Sequence, residues 1–121
     1  MKDNRKQLGL YGEHIAAQFL SKHGYQIIEK NFRCSLGEID IIAEHNGCIV
    51  FIEVRTKKKL TFGTPEESIT TAKKDKLISL VETYLQMKEK SDSPWRIDMV
   101  AIEIHKDNSI FRIELVENIT C

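Results

Sequence analysis

Four charged residues on two short segments carry the most chemistry in this sequence. Glu38 and Asp40 stand in Gly37-Glu-Ile-Asp-Ile-Ile, and Glu53 and Arg55 in Phe51-Ile-Glu-Val-Arg. Asn46-Gly47 lies between the segments. Asn-Gly between apolar-rich runs predicts a two-residue hairpin turn, because both central residues of a type I′ turn need positive φ. Pairing outward from that turn sets His45 opposite Cys48, Glu44 opposite Ile49, Ile42 opposite Phe51, Asp40 opposite Glu53, and Glu38 opposite Arg55. Alternation then puts Glu38, Asp40, Glu53 and Arg55 on one face. Ile39, Ile41, Ala43, Val50, Ile52 and Val54 form a dry opposite face. Carboxylates directly across a ladder have Cβ atoms ~4.5–5.5 Å apart and repel. A divalent cation, Mg²⁺ or Mn²⁺, between Asp40 and Glu53 resolves the conflict, since Mg²⁺ takes one or two carboxylates and completes its shell with water and phosphate. A salt-bridge network in which Arg55 and nearby lysines neutralise the acids is the other resolution. The pattern alone leaves both open.

Glu13 is a further candidate acid. Ala16, Ala17 and Leu20 follow it by three, four and seven positions, so it lies on or beside the buried face of the first predicted helix. A carboxylate there needs a partner or a metal, or reaches solvent at the edge of the stripe. Arg55 places a fixed cation beside the acids, suited to stabilising charge on a phosphorane-like transition state. It is no general base, because guanidinium keeps its proton. Lys73, midway between Ile69 and Leu77, points along an apolar stripe and either reaches a phosphate or snorkels to solvent. Lys57, Lys58 and Lys59 form a candidate clamp for a nucleic-acid backbone. His14, His23, His45 and His105 show no metal-ligand spacing and are assigned no role. Asp98, among apolar neighbours, reads as a structural hydrogen-bonding residue. The sequence contains no phosphate-binding Gly-rich loop, dinucleotide fingerprint, nucleophile elbow or Cys–His motif.

The elements that must position these residues read in the order α-β-β-β-α-β-β. Leu10, Ala16, Ala17, Phe19 and Leu20 recur near the helical period, and the run stops at Gly24. Strands follow at Tyr25–Arg33, Glu38–Glu44 and Ile49–Arg55, and Lys57, Lys58, Lys59 and Gly63 fall in a loop. Thr64 fits an N-cap, Pro65 the first helical position and Glu67 the capping-box partner, which predicts a helix from there to about Lys90. Its buried stripe is Ile69, Leu77, Leu80, Val81, Tyr84 and Leu85. After the break at Ser91–Pro94 come strands over Trp95–Ile104 and Ile110–Val116, with a turn at Lys106-Asp107-Asn108. With no repeat or linker, the pattern predicts one α/β domain over 1–121, a mixed central sheet flanked by helices.

A chain of 121 residues, 41% hydrophobic and 30% charged, matches an ordinary globular protein rather than a disordered, collagen-like or disulfide-stapled one. The net charge is zero, but its distribution is uneven. Residues 1–33 carry six positive and three negative charges, 54–76 carry seven and three, and 34–53 has four carboxylates with no Lys or Arg. An acidic centre between basic flanks is more informative than the zero sum and makes a case for nucleic acid, with solvated surface faces as the other reading. The three cysteines (Cys34, Cys48, Cys121) form no C-x-x-C pair. With no signal-peptide pattern and no apolar run of transmembrane length, a cytoplasmic protein without a membrane partner is expected.

At these residues the chain resembles the YraN-like bacterial proteins. The motifs are Gly12-Glu13-x-x-Ala16, Gly37-Glu-Ile-Asp-Ile-Ile, Phe51-Ile-Glu-Val-Arg, Phe62-Gly-Thr-Pro before the helix with Lys73, and Arg96-Ile-Asp-Met-Val. They stand in order over residues 8–104. That family is similar to the restriction-endonuclease-like PD-(D/E)xK nucleases, including archaeal Holliday-junction resolvases. The resemblance implies an αβββαβ core and a site made of Glu13, Asp40 and Glu53. The lysine of the nuclease E-x-K motif falls on Arg55, a departure that keeps the charge and loses an amine next to the attacking water. Lys57 shares the face and substitutes only if the strand extends that far. The first expectation is thus a Mg²⁺- or Mn²⁺-dependent endonuclease on DNA, branched or damaged DNA included. Asp40 and Glu53 would ligate the metal, Glu13 would position metal or water, and Arg55 would stabilise charge. Lys57, Lys58, Lys59 and Lys73 would hold backbone phosphates. The alternatives are a nucleic-acid-binding module of the same fold without efficient cleavage, and a protein-interaction domain with a structural acidic cluster. A homodimer is left open.

Overall fold

A computed structural model describes residues 4–59 and 63–120; Phe62 of the fourth motif and Cys121 lie outside them. Helix α1 (Asn4–Lys22) is followed by strands β1 (Gln26–Cys34), β2 (Gly37–His45) and β3 (Cys48–Lys58). After a single 3₁₀ turn (Glu66–Ser68) come helix α2 (Thr71–Met87) and strands β4 (Trp95–Ile104) and β5 (Ile110–Val116). The five strands form one sheet in sequence order, antiparallel throughout except for the parallel pair β3–β4, which α2 connects. This is the α/β architecture and the αβββαβ order expected, with β5 added at the edge.

Each helix covers one face of the sheet. Ile15, Ala16, Ala17 and Leu20 of α1 pack on Ile41, Ala43, Val50, Ile52, Val100, Ile102 and Ile104. Leu77, Leu80, Val81, Tyr84 and Leu85 of α2 pack on Phe32, Ile39, Ile42, Ile49, Phe51 and Ile97. Strand β3, covered on both sides, is buried continuously from Ile49 to Glu53, the pattern of a central strand. Gly24, at φ +85°, ends α1 where the sequence predicts. The small residues of α1 allow a close approach to the sheet, and Gly12 is the tightest point. A Cβ there would lie 1.8 Å from Thr56 Oγ1 and 2.9 Å from Thr56 Cβ. Thr56 is short and branched on a strand, so α1 itself must retreat. Gly12→Ala is therefore expected to lower stability by about 1–3 kcal/mol, read as a fall in the urea midpoint. Unchanged stability would show that α1 does not press on β3.

Two expectations are corrected. The Thr64 capping box forms: the Glu67 N–H donates to Thr64 Oγ1 at 3.3 Å, and that hydroxyl donates to Glu67 Oε1 at 3.1 Å. It opens only the 3₁₀ turn. Ile69 is extended (φ −86°, ψ 110°), and α2 starts afresh at Thr71, with Thr70 Oγ1 accepting the Lys73 N–H at 3.1 Å. The branched run Ile69-Thr70-Thr71 disfavours continuous helix, and a second cap is at hand. The second correction lies in β2. Its ladder with β3 runs in the predicted register from His45–Cys48 to Ile41–Ile52 and stops there, so neither the predicted Asp40–Glu53 pair nor the Glu38–Arg55 pair forms. Ile39 packs under α2, whereas Ile41 and Ala43 pack under α1. The strict alternation that joined Ile39 to the dry face of Ile41 and Ala43 therefore fails at Asp40. On β1, Lys30 and Phe32 pair with Ile41 and Ile39, and Asn31 between them has φ +55°. Both strands change face at this one step.

Candidate functional site

The change of face at Asp40 builds the site. With Ile39 turned toward α2, Glu38 and Asp40 meet Glu13 of α1, and oxygens of these three half-buried carboxylates lie within 4.8 Å of one another. Glu13 is held there by the close contact of Gly12 on Thr56, a β3 residue three places beyond Glu53. Asp40 Oδ2 accepts the Val54 N–H at 2.8 Å, so its carboxylate closes the end of the ladder where the two strands part. The side chain also shares a hydrogen bond with Glu53. Glu38 pairs with Arg33 of β1 at 2.7 Å rather than with Arg55 as the hairpin pattern predicts. The two are direct cross-strand partners.

Glu53, 5% exposed, faces α2 and carries two cations. Arg55 Nη2 lies 2.9 Å from Glu53 Oε2, and Lys73 Nζ, from the first turn of α2, lies 3.5 Å from the same oxygen. The second start of α2 at Thr71 is what delivers Lys73 to this point. The neutralising pairs expected of a structural network and the converging acids expected of a metal site are thus both present, on adjoining atoms.

The charges shape one another. Burial, then the Glu53 charge, then the hydrogen bond with Glu53 and the Glu13 charge push the Asp40 carboxyl up to about 8 against the pull of the Val54 N–H. Asp40 accordingly holds its proton well above the usual carboxylate range. Glu13 is raised too, first by burial and then by Glu38 and Glu53, with Lys30 and Arg33 opposing. Two acids that cannot ionise together without help are a common sign of a site made for a cation. All the donors are hard oxygens, the set that Mg²⁺, Mn²⁺ or Ca²⁺ prefers. Glu13, Glu38 and Asp40 together fit a divalent ion. The metal pair predicted from sequence, Asp40 and Glu53, is in contact, and Glu38 is the ligand candidate that the pattern put on the right face without assigning it. Arg33 went unnoticed because its role depends on cross-strand pairing in the first hairpin, which has no Asn-Gly turn to set its register.

The lysine clamp is only partly assembled. Strand β3 continues to Lys58, beyond the loop boundary predicted at Lys57, so Lys57 shares the strand face of Glu53 and Arg55. Lys58 borders a cleft of ≈ 380 Å³ with Gln7, Leu8, Tyr11 and Asn108, on the α1 side. Lys59 sits over the Phe111 ring, 4.3 Å from its centroid; six residues along a strand from Glu53, that is ~20 Å away. Asp98 is structural as expected. Fully buried, it accepts from Tyr25 Oη (2.8 Å), Arg96 Nε (3.0 Å) and the Asn118 N–H (2.9 Å). Among the described residues no helix is long and apolar enough to cross a membrane.

Among solved structures the chain is similar to SfsA of Pyrococcus furiosus, described in complex with Ca²⁺, with a TM-score of 0.40 and 14% identity; the match covers 95% of this chain and 64% of that one. Its sequence relatives are far nearer and of its own length. It is 41% identical to a UPF0102 protein of Caldicellulosiruptor saccharolyticus over 95% of this chain and 98% of the relative. Identity is likewise 41% with one of Clostridium perfringens, over 98% and 97%, and 45% with one of Roseiflexus castenholzii, over 86% and 85%. The family model spans residues 12–102, from the glycine that seats α1 on β3 through all four clustered acids into β4, and on that match the chain belongs to the uncharacterised protein family UPF0102.

Proposed function

We propose that this protein is a Mg²⁺- or Mn²⁺-dependent phosphodiesterase that acts on DNA. The observation that carries the reading is the convergence of Glu13, Glu38 and Asp40 oxygens within 4.8 Å, beside a Glu53 that holds Arg55 and Lys73. Glu13, Glu38 and Asp40 are the residues that would hold the ion. A divalent cation bound there supplies Lewis acidity toward a phosphoryl oxygen and toward the attacking water. The chain's own residues do the rest. The Val54 N–H fixes the Asp40 carboxylate, and Gly12 against Thr56 fixes the depth of Glu13. Arg55 holds a permanent positive charge beside Glu53, where negative charge grows on the phosphate. Lys57, Lys58 and Lys59 are backbone contacts that weaken with salt. Arg55 in place of an amine favours a second reading, a nucleic-acid-binding module with little turnover.

Labelled single-stranded, duplex, flapped and four-way-junction DNA, each incubated with Mn²⁺, Mg²⁺ or EDTA, tests the two together. Cleavage by the wild type that needs metal and is lost in Asp40→Asn supports the nuclease, and the preferred substrate names its DNA structure. Retarded DNA without cleavage supports the binding module. Neither cleavage nor retardation overturns both readings and leaves the acids to a protein partner.

A further inference from the structure

Lys73 is placed against the local rules of its own helix. It stands three residues after the N-cap Thr70, in a first turn that contains no acidic residue. The free N–H groups of that turn and the helix dipole make it the position least favourable to a cation. The ammonium nevertheless turns inward, to within 3.5 Å of Glu53 Oε2, with 27% of the side chain exposed. Glu53 is already paired at 2.9 Å by Arg55. Arg55 in turn keeps a buried Nε–H without an acceptor. One carboxylate therefore gathers two cations, and one of these keeps a spare buried donor. Across the site, four carboxylates (Glu13, Glu38, Asp40, Glu53) face three ion-paired cations (Arg33, Arg55, Lys73). Fully ionised, that balance is one charge negative; a divalent ion makes it one charge positive, the complement of a phosphodiester.

We propose that Lys73, with Arg55, is the anion half of this site, receiving the phosphate group at the metal rather than clamping the flanking backbone. The inference rests on the reading of the site as a phosphodiesterase centre and gives it its phosphate-binding residue. An ammonium has three donors, one of them engaged by Glu53, and α2 brings it in from the sheet face opposite α1 and Glu13. A phosphate there would be held between Arg55 and Lys73 on the α2 side of the sheet and a metal that Glu13, Glu38 and Asp40 would hold on the α1 side. In the hydrolysis that follows, the water oxygen bonds to phosphorus, the bond to the departing sugar oxygen breaks, and the proton lost by water is balanced by the one solvent returns to that oxygen.

The test is titration of a nucleoside 3′,5′-bisphosphate into the full-length protein with saturating Mn²⁺, followed by turnover on the best DNA substrate. Lys73→Met is expected to weaken the bisphosphate at least tenfold and Lys73→Arg to restore most of the loss. Lys74→Met, which removes the same charge from the same turn beside Glu66 and Ile69, is expected to leave it unchanged. Total affinity for long DNA in Ca²⁺ should move less than threefold, because many phosphates share it, while kcat falls with Lys73→Met. Lys73→Met leaves Glu53 its Arg55 partner and relieves the conflict with the helix dipole, so the variant folds, and a cooperative urea transition verifies it. Bisphosphate affinity equal in Lys73→Met and wild type overturns the proposal, as does a wild type that binds no bisphosphate. Loss confined to long DNA, with a flatter salt dependence, returns Lys73 to the backbone clamp and also overturns it. A wild type that binds the bisphosphate through Lys73 yet cuts no DNA supports this anion site and sinks the nuclease reading alone.

Discussion

Asp40→Asn and Glu53→Gln are expected to abolish turnover alike, each by more than about 100-fold, while moving stability apart. Without metal, Asp40 is a protonated acid at neutral pH: burial, the Glu53 charge and its hydrogen bond with Glu53 hold it so, up to about pH 8. Asparagine copies that state. Its carbonyl accepts the Val54 N–H that Asp40 Oδ2 now takes at 2.8 Å, and its amide donates toward Glu53. Stability at pH 7 should stay within about 1 kcal/mol of wild type, and gain as the pH rises, because an amide never ionises against its neighbours. Glu53 is the reverse case, a carboxylate at 5% exposure that is paired to both Arg55 and Lys73. Losing one partner of a fully buried pair costs about 3–5 kcal/mol. Arg55 is 31% and Lys73 27% exposed, so water recovers part of that, and about 1–3 kcal/mol is the expected loss for Glu53→Gln. Urea midpoints at pH 7 and single-turnover cleavage check both halves. Equal destabilisation by the two variants would mean that the Arg55 and Lys73 pairs do not set Glu53 apart from Asp40. Full turnover in either would remove that residue from the site.

The difference between these two acids was only half legible in the sequence. Asn46-Gly47 carried the hairpin as far as Ile41 and Ile52, because turn chemistry and register are local, and Asp40 reaches Glu53 by a side-chain hydrogen bond rather than as its ladder partner. The alternation rule then assumed an unbroken ladder, and it broke at Asp40 itself. The break depends on Asn31 of the neighbouring strand taking a positive φ, which no property of β2 announces. Glu38 consequently reached Glu13 and Arg33 instead of Arg55. The Thr64–Glu67 box was equally real and equally short-ranged. A capping motif says where a helix can start, not how far it runs, and Thr70 offered a second start one turn later. That restart turns Lys73, legible only as a lysine on an apolar stripe, toward Glu53. Local signals thus settled the order of the elements and the register next to the Asn-Gly turn. The contacts that complete the site cross between layers, and they follow from packing: small residues bring α1 down on β3, and the core under α2 fixes the face of Ile39.

Metal binding is expected to expel a proton, and the pH dependence of both affinity and stability follows with a definite sign. The Asp40 carboxyl titrates near 3.8 when unperturbed and is pushed up to about 8 in the fold, by burial first and Glu53 second. Between those values the folded chain binds the proton that the unfolded chain has released. Stability of the metal-free protein is therefore full below about pH 4 on this account and is lost as the pH rises toward 8, with a slope of at most about 1.4 kcal/mol per pH unit. Glu13, raised chiefly by burial, adds to the same trend. Glu66 has the opposite sign: the Arg112 guanidinium, bonded to it at 2.7 Å, lowers its pKa. Its contribution is lost only as the pH falls below the ordinary carboxylate range, outside the Asp40 window. A divalent ion must displace the Asp40 proton, so Mn²⁺ affinity should climb by up to about tenfold per pH unit until Asp40 ionises unaided near pH 8. Calorimetric titration of Mn²⁺ at pH 7 in buffers of different ionisation enthalpy counts the released proton directly. About one proton is expected from the wild type and none from Asp40→Asn. Binding without proton release would place the ion away from Asp40, and a stability that rises from pH 5 to 8 would show that Asp40 enters the fold already ionised, balanced by Arg55 and Lys73 rather than by its own proton.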